Sequence, residues 1–153
     1  RFLTLTKGTG VINRIFHGYG KFEGEMDGRK NGALISMSTG KAVAFAIFNL
    51  QARGEMFVTH NDPVYEGMIV GLTPKPGDMI INVMKGKQLT NMRTQGTDEN
   101  VVLTPVRQMS IAEQLSMLNT DEALEITPKS LRLRKAILNP HDRKRSEKSG
   151  TAA

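Results

Sequence analysis

The sequence predicts an α+β fold, in which a strand-rich domain with a few short helices follows a partial α/β unit. Three observations lead to this prediction. Most apolar runs are short and bounded by Gly or Pro turn signals, which is typical of strands. Helical periodicity is confined to a few segments, chiefly residues 40–54 and 110–119. The segments before residue 20 are too short to build a core of their own.

The N-terminal region predicts the end of a domain followed by a linker. Phe2–Thr6 reads as the end of a helix closed by Gly8, and Gly10–Tyr19 as a strand. Residues 20–32 hold four glycines among mixed charges, which is typical of a linker. Because the chain opens with Arg1 and shows no signal-peptide pattern, we expect a piece of a longer protein.

The second domain is expected to begin with a strand at Ala33–Ser38 and continue into a helix. Thr39 is the predicted N-cap of that helix and Gly54 its stop. Val43, Ile47 and Leu50 share one helical face, which Phe45 and Phe48 widen. The helix should therefore be mostly buried.

Downstream, strand patterns surround one further helix. A strand is predicted at Glu55–Thr59, and GMIVGLTP and GDMIINVM predict a hairpin across the turn Pro74–Asp78. Val101–Val106 predicts a strand that Pro105 restricts to an edge or a bulge.

The last elements are a capped helix, a hairpin and a tail. Ser110 and Glu113 form a capping-box pair, and Ile111, Leu115 and Leu118 lie on one side of the helix that follows. ALEIT and SLRLRK predict a hairpin across Pro128–Lys129. In its second strand, Leu131 and Leu133 lie on one face, and Arg132 and Arg134 lie on the other. The predicted domains are 1–30 (partial domain and linker), 31–138 (second domain) and 139–153 (basic, frayed tail).

Composition narrows the function classes. The net charge is +6, and residues from 129 onward hold eight of the 21 basic residues but two of the 15 acidic ones. Such a terminus either faces a polyanion or is a solvated tail. Absence of Cys excludes disulfides, thiolate catalysis and Cys-based zinc sites. The longest apolar run, AVAFAIFNL, is too short to span a bilayer.

The most informative segment is the loop KGKQLTNMRTQGTDEN at residues 85–100, here called the finger loop. It lies between two predicted strands, has no strand or helix period, and carries no acid before Asp98. Lys85, Lys87 and Arg93 would contact phosphates, while amides and hydroxyls would bind sugars or bases. Without nearby aromatic residues, backbone and shape recognition is favoured over base reading. The alternative is an ordinary solvated basic loop. The candidate RNA-binding residues of the loop are Lys85, Lys87, Leu89, Thr90, Asn91, Met92 and Arg93.

Arg132 and Arg134 form a second candidate RNA-binding surface. They would align with Lys129 and the tail as one basic strip. The alternative, which the sequence leaves open, is cross-strand pairing with Glu122 and Glu125.

No catalytic or metal-binding residue is predicted. GKAV at Gly40 fails as a P-loop, because Ile35 replaces the first Gly and Ala42 the metal-binding hydroxyl, although Lys41 at a helix N-terminus leaves anion binding open. His60, Asn61, Asp62 and Glu66 match no ligand spacing and indicate a polar turn.

Several strings, in order, resemble one family. They are similar to the C-terminal part of the BipA (TypA) family of bacterial translational GTPases. The strings are FLTLTKGTG, IFHGY, SMSTGKAVAFAIFNLQARG, VYEGMIVG, KGKQLTNMRTQGTDE, SLRLRK and DRKR. The resemblance covers all but the last few residues. Met68 and Val106 depart from the family pattern, where Gln and Pro would be expected, and neither lies in the finger loop.

This resemblance implies a fold and a function. Residues 1–30 would end a ferredoxin-like fifth domain, and the remainder would be the family-specific C-terminal domain. The finger loop would contact rRNA and the acceptor end of A-site tRNA on the ribosome. The GTPase domain, with its GTP and Mg²⁺, would lie outside this chain, which would itself have no catalysis and no cofactor.

The resemblance also implies a cytoplasmic protein linked to stress adaptation and to assembly of the large ribosomal subunit, with no membrane or DNA partner. Another class stays open: a protein-interaction module that uses the edge near Pro105 or the terminal helix. Exposed Phe2, Leu3 and Ile15 would also allow self-association through the N-terminal unit.

Overall fold

The computed structural model describes residues 2–21, 29–86 and 102–150, and its architecture is the predicted strand-rich α+β fold. The helices are α1 (Phe2–Leu5), α2 (Ala44–Gln51), α3 (Ile111–Met117) and α4 (Pro140–Gly150). The strands are β1 (Ala33–Ser36), β2 (Gly40–Lys41), β3 (Glu55–Met56), β4 (Pro63–Val64), β5 (Ile69–Leu72), β6 (Met79–Ile81), β7 (Glu122–Ile126) and β8 (Leu131–Lys135). None of the helices in the described ranges is long and apolar enough to cross a membrane.

A four-stranded mixed sheet forms the centre of the fold, with strand order β3-β5-β1-β6. β1 runs antiparallel to β5 and parallel to β6. Every residue of β1 and β5 is buried, because both strands are interior and both faces of the sheet are covered. Two small two-stranded sheets, β2-β4 and β7-β8, complete the strand pairing.

The predicted hairpin between β5 and β6 is wrong, because β1 lies between these two strands. The connection passes over the start of β1: Thr73 N–H donates to Gly32 O and Gly32 N–H donates to Lys75 O, both at 2.9 Å. A Cβ at Gly32 would overlap the carbonyl oxygen of Gly77. Turn chemistry predicted the reversal correctly, but it carries no information about which strand lies between the two arms.

The core is divided between the two faces of the sheet. On one face, Leu34 and Val70 pack with Ile47 of α2 and with Val83. On the other, Ile35 and Ile69 pack with Leu133 of the hairpin, with Leu118 partly buried beside them. Successive residues of β1 and β5 serve opposite faces, as side-chain alternation in a strand requires.

Helix α2 begins later than the sequence predicts. Gly40 and Lys41 pair with β4, so Thr39 is no N-cap, and Val43 caps the helix without a side-chain hydrogen bond. Lys41 therefore lies in a strand rather than at a helix N-terminus, which removes the reason for expecting an anion there. The inner face is partly as predicted, since Ile47 and Leu50 are buried, whereas Phe48 is half exposed.

Helix α3 has the predicted capping box. Glu113 N–H donates to Ser110 Oγ at 3.3 Å, and Ser110 N–H donates to Glu113 Oε2 at 2.9 Å. The Ser110 N–H and the Ser110 hydroxyl (3.2 Å) both donate to Glu113 Oε2, and they lower the pKa of Glu113 because they favour the charged carboxylate. Of the apolar residues on one side of the helix, Ile111 and Leu115 are exposed.

Two predicted strands are irregular within the described ranges. Residues 10–19 pair with no described strand, and Ile15 and Tyr19 are almost fully exposed. Residues 102–106 likewise form no strand, and Val101 lies outside the described residues. Apolar pattern alone does not make a strand, because the backbone groups also need a neighbouring strand to bond.

The C-terminal region contains the predicted hairpin and, beyond it, a helix. β7 and β8 pair antiparallel, with Glu125 opposite Arg132. The tail, predicted to be frayed, instead forms α4 over residues 140–150, and its side chains are largely exposed. Arg143 holds its first turn by donating to Ile137 O (3.0 Å) and Leu138 O (2.6 Å).

A buried ion cluster joins the hairpin to the central sheet. The Lys135 ammonium lies 2.5 Å from Asp78, 2.7 Å from Asp121 and 3.1 Å from Glu122, and its side chain is 2% exposed. Arg29 also binds Glu122, at 2.7 Å, through a second pair of buried side chains. Asp78 in turn accepts a hydrogen bond from Ala33 N–H at 2.8 Å, at the start of β1.

The cluster shifts the pKa values of its members. Burial opposes the charged form of Lys135, but hydrogen bonds to Asp121 and Asp78 and the charge of Glu122 outweigh burial, so its pKa is raised. Burial likewise opposes the charge of Asp78, but hydrogen bonds from Lys135 and Ala33 outweigh it, so its pKa is lowered. Each partner thus stabilises the charged form of the other.

We predict that Lys135→Met destabilises the chain by about 1–3 kcal/mol, because it removes the shared cation from the buried Glu122 and from the partly exposed Asp78 and Asp121, while Arg29 still binds Glu122. The measurement is the free energy of unfolding from urea titration at neutral pH. Lys129→Met, at an exposed position of the same hairpin, is the matched control and should have little effect. A loss below about 1 kcal/mol for Lys135→Met would mean that the cluster does not stabilise the fold.

Acid should weaken the same cluster. Because the pKa of Asp78 is lower in the folded chain, its contribution to stability is complete above the unfolded value of about 4 and is lost as pH falls through the lower folded value. Asp78→Asn should therefore narrow the difference in urea midpoint between pH 6 and pH 3. If the urea midpoints of the unmodified chain and of Asp78→Asn fall equally between pH 6 and pH 3, Asp78 does not contribute to the pH dependence of stability.

Candidate nucleic-acid interface

The finger loop leaves the core directly after β6. Val83 is fully buried, and its carbonyl accepts a hydrogen bond from Val43 N–H at 2.9 Å. Met84 N–H donates to Asn82 Oδ1 at 2.9 Å, and the chain then becomes exposed at Lys85 and Gly86. Lys85 is thus exposed just after a buried, hydrogen-bonded segment that follows β6. The other predicted loop residues, Lys87, Leu89, Thr90, Asn91, Met92 and Arg93, lie outside the described residues.

The chain returns to the same core cluster after the loop. Leu103 and Met84 both pack, partly buried, against the cluster that contains Val83. Beside Leu103, Thr104 exchanges two hydrogen bonds with the Gln51 side chain of α2, at 3.1 and 3.3 Å. Both described ends of the loop are therefore anchored on one side of the sheet. The backbone near Pro105 is partly occupied by Gln51, which weakens the hypothesis of a free edge there.

The two arginines of β8 differ in their partners. Arg132 Nη1 lies 3.8 Å from Glu125 Oε1, and both side chains are about one-third exposed or less. The sequence left open whether these arginines form a basic strip or pair with glutamates across the hairpin, and Arg132 forms such a cross-strand pair. Arg134 instead donates to the carbonyls of Lys135 (3.2 Å) and Ala136 (3.4 Å). Glu122, the other predicted partner, binds Arg29 and Lys135.

Tyr65 holds Glu125, the partner of Arg132, by a hydrogen bond. Its hydroxyl donates to Glu125 Oε2 at 2.6 Å. Burial, the hydrogen bond and the charge of Glu125 together raise the pKa of Tyr65 to about 12. Glu125 is therefore shared between a neutral donor, Tyr65, and the cation Arg132.

The remaining candidates contribute charge or local structure. Lys144, Arg145 and Lys148 on α4 are exposed and make the tail a basic surface. The His60–Asp62 segment is a polar turn, as predicted: Thr59 N–H donates to Asp62 Oδ2 at 2.7 Å, and Asn61 has φ +67°. Across the described ranges, no three His, Asp or Glu residues are grouped to hold a metal ion.

Sequence reasoning missed the buried ion cluster, although one signal was present. Leu131 and Leu133 point inward, and the same alternation places Lys135 on the inner face of β8. A buried Lys requires carboxylate partners. Glu122, directly opposite Lys135, and Asp121 belong to the hairpin region, whereas Asp78 comes from a distant part of the chain.

A comparison with known protein families identifies the family of this chain. The family model described as the TypA/BipA C-terminal domain matches residues 31–140. This chain belongs to the TypA/BipA family. The match covers all the described β-strands and α2 and α3, and it includes the finger loop.

Curated relatives of the family align with nearly the whole of this chain. Proteins named large ribosomal subunit assembly factor BipA are similar to it: that of Buchnera aphidicola subsp. Schizaphis graminum is 48% identical over 98% of this chain. Those of Salmonella typhimurium and Escherichia coli K12 are 46% identical over 96% and 97% of it. The chain spans about a quarter of the length of these TypA/BipA relatives.

Proposed function

We propose that this TypA/BipA chain is the ribosome-binding part of a translational GTPase and takes part in assembly of the large ribosomal subunit. The finger loop would contact rRNA and the acceptor end of A-site tRNA, through Lys85, Lys87, Leu89, Thr90, Asn91, Met92 and Arg93. Arg132 and Arg134 would add a second contact. The chain would act by recognition, in the cytoplasm and under stress, and GTP hydrolysis with its Mg²⁺ would belong to the rest of the protein.

One observation carries the proposal: the exposed Lys85 follows the buried Val83 and begins a long cationic segment of the sequence. Three cations fall within residues 85–93 with no carboxylate among them, so no neighbour in sequence neutralises them. Phosphate contacts from such residues give affinity that decreases with salt. The name shared by the relatives, large ribosomal subunit assembly factor, supports a ribosomal RNA as the polyanion.

The N-terminal segment supports a further contact of this protein. Val11, Ile15, Phe16 and Tyr19 are between 73% and 99% exposed, which is unusual for apolar side chains so close together. We propose that they pack against another part of the whole protein, and against a second copy when the chain is alone. Sedimentation velocity of the isolated chain should then show concentration-dependent association that Ile15→Ser with Phe16→Ser reduces. A monomer at all concentrations would exclude this contact.

The RNA proposal is tested in the whole protein by replacing Lys85, Lys87 and Arg93 together with Ala. We expect weaker co-sedimentation with ribosomes, and a slope of log affinity against log salt that is lower by about 2 to 3, because three phosphate contacts are lost. Replacing Arg132 and Arg134 with Ala measures separately how much these two arginines contribute to ribosome binding.

The matched control replaces Lys7, Arg53 and Lys75 with Ala, which removes the same charge from exposed positions elsewhere. If the control weakens binding as much as the finger variant, net charge rather than the finger loop determines affinity. If neither variant changes affinity or salt slope, the finger loop does not bind RNA.

A further inference from the structure

Strand β7 has one edge that pairs and one that does not. Thr127 N–H donates to Ser130 O at 3.0 Å, and Ala136 N–H donates to Asp121 O at 2.9 Å, so positions 127 and 121 face β8. In an antiparallel pair, every second residue exchanges hydrogen bonds with its opposite. Positions 123 and 125 therefore also face β8. Leu124 and Ile126 direct their N–H and C=O groups to the opposite edge.

The outer edge of β7 is unoccupied by the described chain. β7 pairs with β8 alone, and no hydrogen bond from a described residue reaches the outward groups of Leu124 and Ile126. The other edge of the hairpin is covered, because Lys135 N–H donates to Gly67 O at 2.9 Å and Met68 bridges to Arg134. The hairpin is thus tied to the body on one side and open on the other.

An apolar face accompanies the open edge. Leu124 and Ile126 lie on the face of the hairpin that also carries Leu131 and Leu133, and Ile126 is 64% exposed. This face borders a groove of about 790 Å³, whose other walls include Phe57 and Met109. A strand added to β7 would place every second side chain on this same face.

The chemistry of the edge favours a peptide over a nucleic acid. Its outward groups alternate between N–H donors and C=O acceptors of hydrogen bonds, and a peptide backbone supplies the complement of both, whereas phosphates supply acceptors only. Two of the three charged residues that line the groove are in ion pairs: Arg132 with Glu125, and Arg107 with Glu55 and Glu113. Among the described residues, only Lys129 adds an unpaired charge to the lining, so the groove attracts a polyanion weakly.

Pairing between two copies of β7 is disfavoured by register. The antiparallel register that bonds Leu124 to Ile126 of a second copy, and so uses all the outward groups, places Glu125 directly opposite its equivalent. Like charges at directly opposed positions destabilise a strand pair. An uncharged segment of another protein meets no such repulsion.

We propose that the β7 edge and its groove form a protein-binding site, which takes an extended segment of a partner by strand addition. The segment has uncharged, apolar side chains at every second position, and its backbone bonds the outward groups of Leu124 and Ile126. The β7 edge and the finger loop are different segments of the chain, and Arg132, which lines the groove, belongs to both the protein proposal and the second RNA contact.

The test uses the ¹⁵N-labelled chain and the capped peptide acetyl-TVTVTV-amide as probe. In the free chain, the amide hydrogens of Leu124 and Ile126 should exchange faster than those of Ala123 and Glu125 by at least tenfold. Peptide should then shift the Leu124 and Ile126 resonances saturably and slow their exchange. The same peptide with N-methylated valines keeps the side chains but loses backbone donors, and it should bind at least tenfold more weakly.

Variants of the chain distinguish binding at this site from non-specific hydrophobic binding of the peptide. Ile126→Lys should weaken peptide binding at least tenfold, whereas Met37→Lys, at an exposed apolar position that does not line the groove, should not. The proposal is overturned by non-saturable shifts, by equal binding of the N-methylated peptide, or by slow exchange at Leu124 in the free chain. It is equally overturned if the RNA hexamer A6, or raising the concentration of the chain alone, protects these amides in place of the peptide.

Discussion

The fold depends on one buried cation. The Lys135 ammonium binds carboxylates from the start of β6 and from the segment that begins β7, and Arg29 completes the charge balance at Glu122. These contacts connect the C-terminal hairpin to the central sheet at a point where no continuous ladder joins them. Buried charges need such complete pairing, because an unpaired charge in the interior costs several kcal/mol. The hairpin, the sheet and the linker end at Arg29 are therefore coupled.

The coupling extends to the proposed RNA contact through β6. Asp78, at the start of this strand, is held by Lys135 and by the backbone of β1, while Val83, beyond its end, is fully buried. The strand is thus fixed at both ends before the chain emerges at Lys85. A cationic loop anchored in this way begins from a defined position, and less ordering of its base is required on binding.

The distribution of charge separates the parts of this TypA/BipA domain by role. Charges near the core are paired and fix the architecture, as in the Lys135 cluster. Exposed cations lie on the periphery, and they include Lys85 and the cations of α4. The open edge of β7 is different again, since backbone groups and apolar side chains dominate it. Each surface is therefore suited to a different class of partner.

The sequence by itself determined the strand-rich α+β class, the capping box of α3, the β7-β8 hairpin, the family and the cationic character of the finger loop. These follow from local chemistry: periods, turn residues, caps and runs of like charge. Only the tertiary structure decided that β1 separates β5 from β6, that residues 10–19 and 102–106 form no strand in the described chain, and that Lys135 is buried. These features depend on partners distant in sequence, such as Asp78 for Lys135, and a local pattern specifies what a segment needs but not which distant segment supplies it.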